Sequence, residues 1–232
     1  LPGSDYVINT IEVSGTKTVR SDNDIPLKYG IDQCIGDTIG PGGIMKALRT
    51  VPVWLEIVED IKKLCPSAMV LNYTNPMSIM SLASLRSLDG QPFVGLCHSV
   101  QGTTKQLARW VDVPYAEVAY RCGGINHMAW ITEFSHRGKD LYPQLKKACA
   151  DPEIRESDPV RIEMMDQFGY FVTESSGHFS EYVPYFRKRS ELLEKHCRDG
   201  YRGQSGFYAD SWPDWRKNVD RKRRAMAAGT MD

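Results

Sequence analysis

The 232-residue chain carries 29 basic and 29 acidic residues, a formal net charge of zero, and 41% hydrophobic residues. That is the composition of an ordinary soluble globular protein able to bury a sizeable core, and balanced charge gives no general attraction for nucleic acid or an anionic membrane. No run reaches the roughly 18 apolar residues that cross a bilayer, and six cysteines without CxxC pairs or regular spacing argue against a disulfide scaffold and a structural zinc site.

A reduced, cytoplasmic setting fits that cysteine usage. The chain opens at Leu1 rather than Met, so the native start is expected to lie elsewhere. After a short loop, the β-branched run Tyr6-Val-Ile-Asn-Thr-Ile11 predicts a buried strand closed by the polar Asn9 and Thr10. Residues 14–33 are polar, rich in Gly and Asp, and without period, which predicts a long surface loop. Three glycines flank Pro41 in Ile35-Gly-Asp-Thr-Ile-Gly-Pro-Gly-Gly-Ile44. Either they leave amides open to a ligand at a helix N-terminus, or they merely supply positive φ.

From Ile44 to Leu64 the apolar residues Met45, Leu48, Val51, Leu55, Val58, Ile61 and Leu64 recur at helical spacing, with Pro52 implying a kink or break. Strands are expected at 68–71 and 93–96, separated by a helix that Asn75 caps with Pro76 at its first position. Alternating strand and helix predict a parallel sheet of the doubly wound type, whose ligand crevice lies beyond the strands' carboxyl ends. Asn72, Asn75, Cys97 and His98 would face it. A helix over 99–111 places Cys97 beside its N-terminus, a setting that suits a metal ligand or a nucleophile.

Residues 118–135 read as strands of a second, mixed sheet that turns at His136-Arg-Gly138. Helical patterns return at 145–149 and 160–168, and Glu174-Ser-Ser-Gly-His-Phe-Ser-Glu-Tyr182 is a dense polar group between apolar stretches. Residues 187–196 look like a solvated helix face, and 199–232 like a divergent or poorly ordered tail. Spacing leaves two readings of Cys97 with His127: a mixed sulfur and nitrogen pair for a borderline divalent metal, or a thiol–imidazole nucleophilic dyad.

Four motifs in order, Asn72-Tyr-Thr-Asn-Pro-Met77, Gly95-Leu-Cys-His-Ser-Val-Gln-Gly-Thr103, Gly124-Ile-Asn-His-Met128 and Glu174–Tyr182, resemble the NAD-dependent glycoside hydrolases of family 4. The Cys-His-Ser-Val form looks like the family's α-galactosidase and α-glucosidase branch. The family stands outside the two-carboxylate pattern of most glycosidases. The resemblance, over residues 3–190, implies an α/β fold: part of a Rossmann-like NAD domain over 1–113, then part of an α+β domain like that of lactate and malate dehydrogenases over 114–198. It implies NAD and a divalent metal, usually Mn2+. Hydride leaves C3 of the sugar, the C2 proton is removed, the glycosidic oxygen is eliminated, and water and hydride return.

The same resemblance implies Cys97 and His127 as metal ligands and Tyr182, His98 and Asp37 as catalytic residues. Asn75, Asn126 and His178 would contact the sugar, and Asn9, Thr10, Asn72 and Asn75 the cofactor. It suggests homodimers or homotetramers at full length. It also implies absences: the strand and glycine turn that open the family's nucleotide domain, and the helices that follow residue 198. Two further readings stay open, an NAD-dependent 2-hydroxy acid dehydrogenase and an inactive fragment.

Overall fold

The computed structural model describes residues 2–230. Strands β1 (Tyr6–Asn9), β2 (Met69–Asn72) and β3 (Phe93–Gly95) form a parallel sheet in that order. Parallel neighbours need crossover connections. These are α1 (Thr16–Leu27) and α2 (Gly40–Leu64) after β1, and α3 (Met77–Ser87) after β2. The register pairs Asn9 with Asn72 and Asn72 with Gly95, so all three strands end along one line. Beneath the sheet, Trp54, Val58, Ile61, Val70 and Met80 form one core cluster.

Helix α4 (Ser99–Trp110) leads from β3 to the second sheet. There β4 (Val118–Ile125) and β5 (Met128–His136) form an antiparallel hairpin, and the short β6 (Lys139–Asp140) and β7 (Phe171–Val172) both pair with β5. Helices α5 (Tyr142–Ala148), α6 (Pro152–Ser157) and α7 (Pro159–Phe168) precede β7, and α8 (Ser176–Tyr182), α9 (Ser190–His196) and α10 (Phe207–Ala227) follow it. Leu107, Ile131, Phe134, Leu145, Ile162 and Phe171 are fully or almost fully buried together. Among the described residues no helix is long and apolar enough to cross a membrane.

Several expectations need correction. Residues 16–27 form a helix rather than a loop. Its anchors are Val19, the buried Asn23 and an Asp22–Arg49 ion pair, so tertiary contacts rather than an apolar period hold it. Pro52 neither breaks nor splits α2, because one face stays buried through Ala47, Thr50, Trp54, Val58 and Ile61. That face is offset from the apolar stripe read in the sequence, since Met45, Leu48 and Leu64 are exposed while Lys46 and Thr50 are buried. The parallel strands are covered on one face rather than both: Tyr6 and Ile8 are 65% and 63% exposed.

The cap of α3 is Pro76, not Asn75. The tail holds a three-residue 3-10 turn at Gly200–Arg202 and the 21-residue α10. Its order comes from Gly206 N–H donating to the Gln33 carbonyl at 2.7 Å, Tyr208 N–H to the Cys34 carbonyl at 3.0 Å, and an Arg20–Asp210 ion pair. Arg187 is not solvated. Its guanidinium donates to Ser180 Oγ, Asp32 Oδ2 and the Gly203 carbonyl.

Candidate active site

Three segments converge where the two sheets meet. The turn between β4 and β5 holds His127 at φ 62°, a left-handed conformation that costs a non-glycine residue free energy and persists where its surroundings fix it. Helix α8, capped by Ser175 Oγ accepting from His178 N–H, carries His178 and Tyr182 four residues apart and so on one face. The segment between α1 and α2 brings Asp37 and Thr38. Gly36 and Gly40 take positive φ, 69° and 84°, while Gly42 in the first turn of α2 is needed for packing: a side chain on it would meet the Gly36 carbonyl oxygen at 2.2 Å, and its N–H already donates to Gln33 Oε1.

The side chains form one connected network. Tyr182 Oη lies 2.6 Å from His178 Nδ1 and 3.4 Å from His127 Nδ1, while Thr38 Oγ1 lies 3.3 Å from the same His127 nitrogen. Thr38 donates to Asp37 Oδ1 at 2.7 Å, and Asn75 Nδ2 donates to Asp37 Oδ2 at 3.3 Å. The two imidazole centroids are 4.5 Å apart. Asp37, His127 and His178 each offer a donor atom within 4.8 Å of the others, and all three residues are buried.

Burial and the neighbouring His178 push the His127 pKa down to about 4, so its ring is neutral near pH 7 and has a lone pair to offer. Burial alone would raise the Asp37 carboxyl, but Lys46, His178 and the Thr38 hydroxyl together hold it below its usual range. Burial, reinforced by Glu181 and Asp37, pushes the Tyr182 phenol well above its ordinary value. Burial likewise opposes ionisation of Glu174, yet His178 and His127 bring its pKa below the usual one.

A cavity of about 500 Å³ opens beside this network, lined by Met77, Leu96 and Cys97 from the sheet side and Gly124, Asn126 and His127 from the hairpin side. Cys97 is not among the three mutually close donors. Its sulfur is held by Ser99, whose backbone N–H donates to it at 3.4 Å. His98 is exposed at the N-terminus of α4. Asn126 Oδ1 and Glu174 Oε2 are buried without a hydrogen-bond partner, an arrangement that costs free energy unless a ligand satisfies it.

The residues expected at the cofactor divide. Asn9 Nδ2 donates to Asn72 Oδ1 at 2.6 Å, and Asn72 Nδ2 donates to the Thr74 carbonyl, so those two amides tie the strand ends together. Thr10 is exposed, and Asn75 reaches the site through Asp37. The sequence reading missed Thr38, Lys46 and Glu174. Lys46, 2.9 Å from Glu12 Oε2 and 4.0 Å from Asp37 Oδ2, sat unremarked in a helical stretch, although a lysine on the buried face of a helix signals a buried partner.

Models of the family 4 glycosyl hydrolases match residues 1–113, and models of that family's C-terminal domain match residues 122–229. The chain is 46% identical to an alpha-galactosidase of Bacillus subtilis (strain 168) over 199 residues, 84% of this chain and 46% of the relative. Among solved structures, lplD from Bacillus subtilis superposes with a TM-score of 0.84 at 28% identity, covering 98% of this chain and 56% of its own. A Thermotoga maritima 6-phospho-beta glucosidase, solved with manganese, NAD+ and glucose-6-phosphate, gives 0.66 at 25% identity over 82% of this chain and 46% of its own. The chain therefore spans about half the length of the relatives it matches.

Proposed function

Because the chain belongs to family 4 of the glycosyl hydrolases, we propose that it supplies the reacting half of an NAD- and Mn2+-dependent α-glycosidase acting on α-galactosides. The observation that carries the reading is the meeting of Asp37, His178 and Tyr182 around His127, which itself lines a cavity shared with Cys97 and Asn126. The donor set suits a borderline divalent ion: a neutral imidazole, a thiol on the same cavity, a carboxylate, and a buried carbonyl oxygen of Asn126 that has no partner. Cys97 and His127 would hold the ion. The cavity lies at the carboxyl end of β3, and beyond its strands' carboxyl ends is where an open parallel sheet receives a nucleotide.

NAD+, when bound, supplies a reversible hydride acceptor for the sugar's C3, and the ion a Lewis acid for the oxygen there. The chain's own residues do the rest. Tyr182 takes the C2 proton while its own proton passes along the 2.6 Å bond to His178 Nδ1. Glu174 Oε2, 3.7 Å from His178 Nε2, steadies the charge that results. Asn75 and Asn126 hold sugar hydroxyls, Asp37 fixes Asn75, and the exposed His98 protonates the leaving oxygen. His178, expected at the sugar, has both ring nitrogens turned to Tyr182 and Glu174 and acts through Tyr182 instead.

The cysteines are all free, which supports a reducing, cytoplasmic setting, and the family resemblance supports a homodimer or homotetramer. Turnover of an aryl α-galactoside is expected only with both NAD+ and Mn2+, and to cease with EDTA. Turnover that needs neither would overturn the proposal, and turnover of α-glucosides or α-galacturonides alone would move it to another sugar.

A further inference from the structure

Residues 34–36 form a short run without helix or strand that ends at Asp37, so something outside it has to fix where Asp37 and Thr38 stand. The fixing group is a carboxylate on α8. Glu181 Oε2 accepts the backbone N–H of Cys34 at 2.7 Å and of Ile35 at 3.0 Å, and Glu181 Oε1 accepts that of Gly36 at 3.0 Å. Three consecutive amides on one carboxylate are charge-assisted bonds, stronger and more directional than neutral ones. Gly36 sits at φ 69° with the Gln33 side chain 3.1 Å from where a Cβ would lie, so the run has little room to settle elsewhere.

The same segment makes a second tie. Arg187 Nη1 meets Asp32 Oδ2 at 2.6 Å while its Nε donates to Ser180 Oγ at 2.8 Å, linking the start of the run to α8 as well. Glu181 is also the immediate neighbour of Tyr182. One turn of helix therefore both presents the phenol and grips the backbone that presents Asp37 and Thr38.

We infer that Glu181 is a positioning residue: its grip on the amides of Cys34, Ile35 and Gly36 sets Asp37 and Thr38 against His127, His178 and Tyr182. The steps assigned above leave Glu181 unused, and its carboxylate points at backbone rather than into the cavity. Its influence on chemistry runs through the 3.3 Å contact of Thr38 with His127 and the 2.7 Å bond of Thr38 to Asp37.

The test compares the whole chain with Glu181→Gln and Glu181→Ala. Glutamine keeps one oxygen for Cys34 and Ile35 but turns an NH2 toward the Gly36 N–H, donor against donor, so its effect should be smaller than that of alanine. Ring proton resonances of His127 and His178 are expected to move in both variants, in that order of size, while those of His136 and His196, which lie elsewhere, stay in place. Mn2+ affinity, read from the free-ion EPR signal, is expected to fall about tenfold or more, as for a ligand shell displaced by a fraction of an ångström.

Only the Mn2+ arm rests on the proposed function. If the wild-type chain takes up no Mn2+, that function falls, and the ring resonances alone still decide the inference. Unmoved His127 and His178 resonances overturn it, as does an affinity equal to that of a wild type that binds. Should both variants fail to fold, Glu181→Asp, which keeps the charge but shortens the reach, is held to the same outcomes.

Discussion

His127 carries the sharpest conflict in the molecule. Its ring is buried and neutral, and its backbone is left-handed, yet it is fixed by Thr38 and Tyr182. With a folded pKa of about 4 against an ordinary 6.5, the unfolded chain binds the extra proton between those values. Stability from this residue is therefore fully present above pH 6.5 and lost as pH falls toward 4, on the order of 3 kcal/mol in the metal-free protein. Urea unfolding across that range should show the loss. His127→Asn, which tolerates the left-handed backbone, should flatten much of it, and an unchanged slope would count against the assignment.

Tyr182→Phe removes the hydroxyl that both histidines approach, and should slow exchange of the sugar's C2 proton with solvent by about a hundredfold or more. Exchange at the wild-type rate would remove Tyr182 from the role of base. Tyr182 and His178 stood out in the sequence as members of the dense polar group Glu174–Tyr182, whereas Asp37 and Asn126 were pointed to only by the family resemblance. Thr38 and Lys46 did not stand out, because their partners His127 and Glu12 lie far away in the chain, and Glu174 stood within a polar group whose geometry, a 3.7 Å approach to His178, only folding reveals.

At the scale of elements, the ties that assemble the site are ionic and buried. Arg187 has a side chain only 6% exposed and pairs with an Asp32 side chain that is 12% exposed. Arg187→Ala leaves that carboxylate without its cation and should cost about 3–5 kcal/mol of unfolding free energy. Arg189→Ala, whose ion pair with Glu191 is mostly exposed, should change it by no more than about 0.5 kcal/mol. Equal effects would mean that the Arg187 contacts are not what holds the loop.

These elements also show where sequence reading fails. Strands β1, β2 and β3 were visible as short apolar runs with polar ends. Helix α1 was not, since it offers one core residue, Val19, and gains its order from α2 and α10. The order of α10 was equally hidden. Its aromatic residues gather around Tyr201, with Phe207 at 4.8 Å and Trp215 stacked at 6.0 Å, a set of contacts that no local pattern announces.

Across the whole molecule, a parallel sheet and an antiparallel hairpin meet so that the carboxyl end of β3 and the turn bearing His127 line one cavity. Under the proposed function, that placement would bring a hydride acceptor, a metal and a base to bear on neighbouring carbons of one sugar, which a pair of carboxylates across a glycosidic bond does not do. The most direct test of the account is hydrolysis of an aryl α-galactoside in deuterated water with NAD+ and Mn2+. The account predicts deuterium at C2 of the released sugar, together with slower turnover of a substrate deuterated at C3. A product free of deuterium at C2, released at the same rate from both substrates, would contradict it.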